Sequence, residues 1–293
     1  MAKNIKINIQ LEIQHIPEIL SFFNLPSPLD IIFIKNGISN HNYLIKTQQN
    51  DYVVKFLINQ TAQNIKNEIA IQKQLNHAGI KTLEYIQNKN KLYVFNDYNV
   101  RAVVSQKIDG VTPSKTNVKL AHCFGYKLAL FHKYVTKLPY KNNRSLMNPN
   151  ISGVHSDIFK HSIPKGIIHG DLHLGNVLVE KNNQDKIIAL FDFEEAGENF
   201  YLIDLAVTTM GICSSGDKNT LNPNLIQATI LGYESVRKLN QEEKALFSQA
   251  INYAAESWIK WFENNNYEKY AKKHKNLLKS FTELNSSTNF FNE

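Results

Sequence analysis

The sequence predicts an α+β fold in two lobes: a small antiparallel β-sheet lobe with one helix over 1–107, and a larger, mainly helical lobe over 108–293. Three observations carry this prediction. Strand-like runs cluster between 31 and 108, and beyond 117 the apolar positions mostly repeat at helical spacing. Near the middle of the second lobe, two apolar, partly β-branched runs each end in an aspartate, Asp171 and Asp192. At 293 residues the chain exceeds a typical single-domain length and can bury a large core.

In the first lobe, Ile16, Ile19, Leu20 and Phe23 keep helical spacing within 8–24, and Pro26 and Pro28 close the segment. This reads as a short amphipathic helix with Pro17 in its first turn. Strands are expected over 31–34, 43–47 and 52–57, the first two joined by a turn-rich loop over 35–42. Backbone N–H groups of a small polar loop can approach phosphate oxygens, which makes Ser39, Asn40 and Asn42 candidates for nucleotide binding. The loop holds one glycine, Gly37, so an ordinary hairpin turn stands as the alternative. Lys55 shares a strand face with Val53 and Leu57, so its ammonium needs a counter-charge in a cleft, a phosphate or a carboxylate. A helix over 61–75, stopped by His77-Ala78-Gly79, carries the candidate carboxylate, Glu68. Strands over 91–95 and 101–108, with a turn at 96–99, complete the sheet, and the connection to the second lobe falls near 106–110.

The second lobe opens on a helix capped by Asn117 and ending before Pro139, with Ala121, Gly125, Leu128 and His132 on one face. His132 reads as a packed, hydrogen-bonded structural residue. A polar connection over 141–149 and a partly helical stretch over 151–161 lead through Pro164 into the central segment. After Asp192, 194–201 reads as a loop, and a helix begins at Leu202 with Asp204 as a structural acid that ties the central segment down. The stretch 222–281 reads as two or three helices, one of them opened by a capping box at Asn240 and Glu243. Trp258 and Trp261 are candidates for core or pocket wall, and residues beyond Thr282 are expected to fray.

The central segment reads His169-Gly170-Asp171-Leu172-His173-Leu174-Gly175-Asn176 and is answered by Asp192-Phe193. With Asn176 five positions after Asp171, and Asp192 ending a neighbouring strand, three oxygen-bearing side chains can converge. Mg²⁺ takes oxygen ligands and keeps several waters, which suits Asn176 and Asp192 as its ligands. A hydroxyl attacking a γ-phosphate gains more from alignment than from a strong base, so a carboxylate within hydrogen-bond reach, Asp171, suffices. The H-x-D-x-x-x-x-N spacing is that of the protein-kinase catalytic loop, and Asp-Phe-x that of its metal-binding turn, with Glu194 in place of glycine. The order Lys55 then Glu68 likewise follows that of the kinase phosphate-binding lysine and its helical glutamate. The alternative reading makes His169, Asp171 and Asn176 turn formers between two strands.

Composition narrows the partners. The net charge of +7 is spread along the chain with no basic stripe, which argues against nucleic acid. No stretch approaches the roughly 18 apolar residues of a membrane span, and the start of the chain has no apolar targeting core, so a cytoplasmic protein is expected. Cys123 and Cys213 stand far apart and read as buried thiols.

The segment from His169 to Asn176, with Asp192-Phe193 and Asp204-Leu205-Ala206, resembles the aminoglycoside/choline-kinase-like phosphotransferases. Within that group, 37–43, 125–132, 163–169 and 231–239 resemble the homoserine kinases. The resemblance implies a bilobal protein-kinase-like fold, ATP and Mg²⁺, and a small-molecule hydroxyl acceptor. It makes Asp171 the catalytic base, Asn176 and Asp192 the magnesium ligands, Lys55 the phosphate ligand and Glu68 its orienting partner. Homoserine would be the acceptor, on the route to threonine, and the enzyme a monomer or homodimer.

The departures are specific. Homoserine kinases are expected to read HADLFxDN and then DFYxAC, whereas this chain has Gly170, His173 and Gly175, and then Glu194-Glu195-Ala196-Gly197. It also reads Ala255-Glu256-Ser257-Trp258 where a basic residue for a substrate carboxylate is expected. Choline, another amino alcohol or an aminoglycoside are the alternative acceptors, for which Glu194, Glu195, Glu198 and Asp157 would form an acidic pocket. A non-catalytic nucleotide-binding module would have lost the metal ligands, which are present, and a protein kinase would carry A-P-E and the D-F-G glycine.

Overall fold

The computed structural model describes residues 9–34, 40–58, 60–142, 145–215 and 219–291. The chain divides into two compact units, one formed by Met1–Thr61 with Leu83–Asp109 and the other by Ala62–Thr82 with Gly110–Glu293.

The first unit is a five-stranded antiparallel sheet in the order β1-β2-β3-β5-β4. Its strands are β1 (Asp30–Ile34), β2 (His41–Lys46), β3 (Tyr52–Phe56), β4 (Phe95–Asp97) and β5 (Val100–Gln106), and helix α1 (Ile9–Phe22) belongs to the same unit. Alternation assigns the faces: Tyr52, Val54 and Phe56 are buried in one cluster with Tyr43, Ile45 and Val104 and with Ile16, Ile19 and Leu20 of α1. Val53 and Lys55 stand half-buried on the opposite face. Helix α1 starts earlier than its apolar spacing suggests, so Pro17 lies in its interior and not in its first turn. A polar anchor holds the added turns. The buried Glu12 carboxylate accepts a 2.7 Å hydrogen bond from Tyr43 Oη and lies 2.9 Å from His41 Nδ1. The strand expected over 91–95 is displaced to β4, because Tyr98 and Asn99 (φ 51° and 59°) supply the left-handed pair that a tight hairpin turn requires.

The second unit contains α2 (Ala62–His77), α3 (Val118–Tyr134), α4 (Pro149–Ser152), α5 (Tyr201–Ile212), α6 (Pro223–Glu234), α7 (Gln241–Asn264) and α8 (Glu268–Asn285). Two short antiparallel ladders complete it, one pairing β6 (Lys165–Ile168) with β9 (Gly197–Phe200), the other β7 (Val177–Glu180) with β8 (Asn183–Leu190). Strand β9 falls in the stretch expected to be a loop. Its central residues, Glu198 and Asn199, are polar and carry no apolar alternation, and pairing with β6 holds them extended. Asn240 and Glu243 form the expected capping box at the start of α7, with reciprocal bonds of 2.8 and 3.0 Å. The expected fraying beyond Thr282 is not found among the described residues: α8 runs to Asn285, and the buried Phe290 stacks 5.9 Å from Phe281. No helix among the described residues is long and apolar enough to cross a membrane.

Candidate active site

Strand β6 buries Ile167 and Ile168 and delivers the chain at His169, where one buried carboxylate fixes the backbone. Asp204, in the first turn of α5, accepts from the N–H of His169 (2.6 Å) and of Gly170 (2.9 Å), and its Oδ2 lies 2.8 Å from His132 Nε2. His132 Nδ1 is in turn 2.8 Å from Tyr233 Oη. Burial works to raise the Asp204 carboxyl, but the His132 hydrogen bond and the backbone donors outweigh it and hold it below the usual carboxylate range. Burial also lowers His132, with Asp204 opposing in part. His132 and Asp204 thus have the structural roles their sequence positions suggest. Gly170 is required where it stands. Its φ is +80°, and a Cβ there would come within 2.8 Å of the Glu195 carbonyl oxygen. That accounts for glycine in place of the alanine expected from the homoserine kinases.

Beyond this anchor the three motif residues come together. The buried Asn176 donates through Nδ2 to Asp171 Oδ2 (3.1 Å) and to the Asp171 carbonyl (2.8 Å). The N–H of Phe191, past the end of β8, donates to the Asn176 carbonyl at 3.1 Å, which brings Asp192 in as the next residue. Asp192 has φ 65°, a left-handed conformation uncommon outside glycine and concentrated at functional sites. The donor set fits a hard cation. With its amide nitrogen committed to Asp171, Asn176 has Oδ1 left to offer, and Asp192 adds a carboxylate from the adjoining turn. Among the described residues no group of three or more His, Cys, Asp or Glu is placed to hold a metal. One amide and one carboxylate therefore suit an ion that keeps water and phosphate oxygens in its shell.

Two glutamates, Glu194 and Glu195, stand on the chain next to the Asp171 segment. Glu195 Oε2 accepts a 2.5 Å hydrogen bond from the N–H of Leu146, and Asn142 Nδ2 donates to the carbonyls of Glu194 and Ala196 (3.0 and 2.9 Å). Burial pushes the Glu195 carboxyl up to about 8; Glu194, Asp171 and Asp192 act in the same direction, and the Leu146 N–H opposes them. The other two acids of the expected pocket are engaged elsewhere: exposed Asp157 pairs with Lys160 at 2.7 Å and exposed Glu198 with Lys165 at 3.3 Å. Trp258 and Trp261 are half-buried in an aromatic cluster with Phe262, Tyr267 and His274. Burial, then Lys273 and His173, holds His274 down to about 4. Helix α8 therefore brings Lys273 and His274 within electrostatic reach of His173. The motif chemistry gave no role to His173, whose Nε2 lies 3.6 Å from Asp171 Oδ1.

Of the expected nucleotide ligands, Ser39 lies outside the described residues. Asn40 is buried and accepts from the Ile58 N–H at 3.4 Å. Asn42 on β2 is directly opposite Lys55 on β3, so the two share a sheet face. Glu68 is buried on α2, in the second unit.

Comparison with known proteins places these features in context. Residues 154–239 match the phosphotransferase enzyme family, APH. A homoserine kinase of Janthinobacterium sp. (strain Marseille) is 23% identical over 262 residues, covering 80% of each chain. A homoserine kinase of Neisseria meningitidis serogroup B is 25% identical over 261 residues, covering 79% of this chain and 82% of its own. Among solved structures, a microcompartment-associated aminopropanol kinase superposes with a TM-score of 0.71 at 15% identity, over 94% of this chain and 98% of that one. The amicoumacin kinase hAmiN, in complex with AMP-PNP, Ca²⁺ and Ami, gives 0.70 at 15% identity, over 89% and 92%.

Proposed function

We propose that this kinase of the phosphotransferase enzyme family transfers the γ-phosphate of ATP to the hydroxyl of a small amino-bearing molecule, homoserine first, as a cytoplasmic step toward threonine. The observation that carries the reading is the bonding of Asn176 to Asp171 on one side and to the backbone preceding Asp192 on the other.

In this reading the first lobe, 1–107, binds the nucleotide, and 108–293 supplies the catalytic and acceptor-binding groups. Lys55, oriented by Glu68, and the loop residues Ser39, Asn40 and Asn42 hold the phosphates. Asn176 Oδ1 and Asp192 hold Mg²⁺, which when bound neutralises charge on the transferring phosphate. Asp171 aligns the acceptor hydroxyl and takes its proton as the new oxygen–phosphorus bond forms and the bond from the γ-phosphorus to the ADP oxygen breaks. Glu194, the neighbour of Glu195, suits an ammonium group on the acceptor, whereas Glu195, raised to about 8, is neutral and offers it no charge. Lys273, whose charge reaches His173, suits a carboxylate, which homoserine carries and choline lacks.

The second reading is an amino alcohol without a carboxylate, favoured by Glu194 alone. ADP release from Mg²⁺-ATP, measured against L-homoserine, 1-amino-2-propanol, choline, an aminoglycoside and water, separates the two. Homoserine well above water, with the others near it, is the expected result. An amino alcohol active where homoserine is not would transfer the assignment to the second reading. Nucleotide bound without turnover on any acceptor would overturn the kinase reading. Asp171→Ala is expected to abolish turnover while keeping most nucleotide affinity, and full activity in that variant would contradict its role.

A further inference from the structure

The backbone N–H of Gly175 donates to His173 Nδ1 at 2.9 Å, so the imidazole caps the short 3₁₀ turn Leu174–Asn176. An N–H aimed at Nδ1 requires a bare lone pair there, which in the neutral ring places the proton on Nε2. Nε2 lies 3.6 Å from Asp171 Oδ1, while Asp171 Oδ2 receives the Asn176 amide at 3.1 Å. Two glycines keep the ring's slot open. A Cβ on Gly175 would lie 2.6 Å from His173 Cε1, and one on Gly211 would lie 2.9 Å from His173 Cβ.

We propose that His173 is a positioning residue: its Nε2–H and the Asn176 amide hold the two oxygens of Asp171 from opposite sides, presenting the carboxylate to the acceptor hydroxyl in one orientation. The proposal rests on Asp171 being the base. An aspartate held by one oxygen alone swings about its last torsion, which has a broad minimum. A second donor on the other oxygen removes that freedom. The 3.6 Å separation is longer than a direct hydrogen bond, and contacts of this kind shorten when substrate enters. The turn that His173 caps also carries Asn176, so one imidazole sets both the base and the amide that holds it.

The test separates the cap from the clamp. His173→Asn retains a side-chain oxygen that can cap the Gly175 N–H, but its amide stops short of Asp171. Its melting midpoint is expected to stay near wild type and its KM for ATP to be unchanged. Its turnover should fall by about 10- to 100-fold, the range for a misplaced reacting group. Turnover is read as ADP release with L-homoserine and as hydrolysis of Mg²⁺-ATP without an acceptor. His173→Ala, which loses both contacts, is expected to lower midpoint and turnover together. Nitrogen-15 NMR of the imidazole at about pH 8 requires no turnover. It is expected to show a bare Nδ1 and a protonated Nε2 whose resonance moves in Asp171→Asn. Wild-type turnover in His173→Asn, a proton on Nδ1, or an Nε2 resonance indifferent to Asp171→Asn would each overturn the proposal. Wild-type turnover in Asp171→Asn, with the NMR signature intact, would instead remove the underlying assignment of the base.

Discussion

Replacing Asp204 by asparagine tests the scaffold of the site most directly. The fully buried carboxylate takes three hydrogen bonds, from the backbone of His169 and Gly170 and from the His132 imidazole, at 2.6, 2.9 and 2.8 Å. Asparagine keeps one acceptor oxygen and turns the other position into a donor, so at least one N–H faces another donor. Hydrogen bonds to a charged group contribute about 1.5–3 kcal/mol each. Losing one, together with the charge on the others, gives about 2–4 kcal/mol out of a total stability of roughly 5–15. The melting midpoint should fall by about 4–16 °C, at roughly 2–4 °C per kcal/mol. Turnover, measured as ADP release below both midpoints, should fall at least about tenfold, because the freed backbone is the one that carries Asp171. A midpoint and turnover both at wild-type values would refute the reasoning. The pH dependence has a definite sign. Between the lowered folded value of His132 and about 6.5 the unfolded chain binds a proton that the folded one does not, so stability falls as pH falls through that window. The lowered Asp204 carboxyl adds a further loss on acidification through its own folded value, and Asp204→Asn should remove that lower segment.

Gly125→Ala would place a Cβ 1.9 Å from the Thr229 carbonyl oxygen, forcing α3 and α6 apart. It should destabilise by about 3 kcal/mol or more, and a wild-type midpoint in thermal unfolding would contradict the backbone contact. Glu195, raised to about 8, stays protonated in the fold while the unfolded chain ionises, so it removes stability as pH rises from the ordinary carboxylate range to about 8. Glu195→Gln should therefore gain on wild type across that range in denaturant titrations, and a constant difference between the two would be the opposing result. Asp192→Asn tolerates the left-handed backbone but loses the charge, so nucleotide binding measured by calorimetry should lose its dependence on Mg²⁺ with little change in midpoint.

Much of the architecture was legible because it rests on periodicity and on local caps. Strand-like runs bounded by turn residues located β1, β2, β3 and β5, and the Asn117 and Asn240 caps marked the starts of α3 and α7. The missed features are those held by polar groups distant in sequence. Helix α1 extends past its apolar stripe because Glu12 meets Tyr43 and His41, which lie 31 and 29 positions away. Strand β9 is extended because β6 is its partner, although its own residues show no alternation.

The same division runs through the candidate site. Residue type and spacing singled out Asp171, Asn176 and Asp192 as candidates, because the chemistry of a hard cation and an aligned hydroxyl restricts which side chains could serve. Spacing is silent on what holds them. Asp192 adopts φ 65° in a place where the sequence offers no glycine, and the bond from the Phe191 N–H to the Asn176 carbonyl is made just before that turn. Gly170 and Gly175 mark places where a neighbouring group, the Glu195 carbonyl or the His173 ring, already fills the Cβ position. The glycines that set this loop apart from the homoserine kinase pattern are thus steric imprints of Glu195 and His173. Substituting alanine for Gly170 or aspartate for Gly175, toward that pattern, should therefore disturb the loop unless the neighbour changes with it. If either single substitution left turnover and midpoint untouched, the departures would be neutral drift, and the steric account of the two glycines would fail.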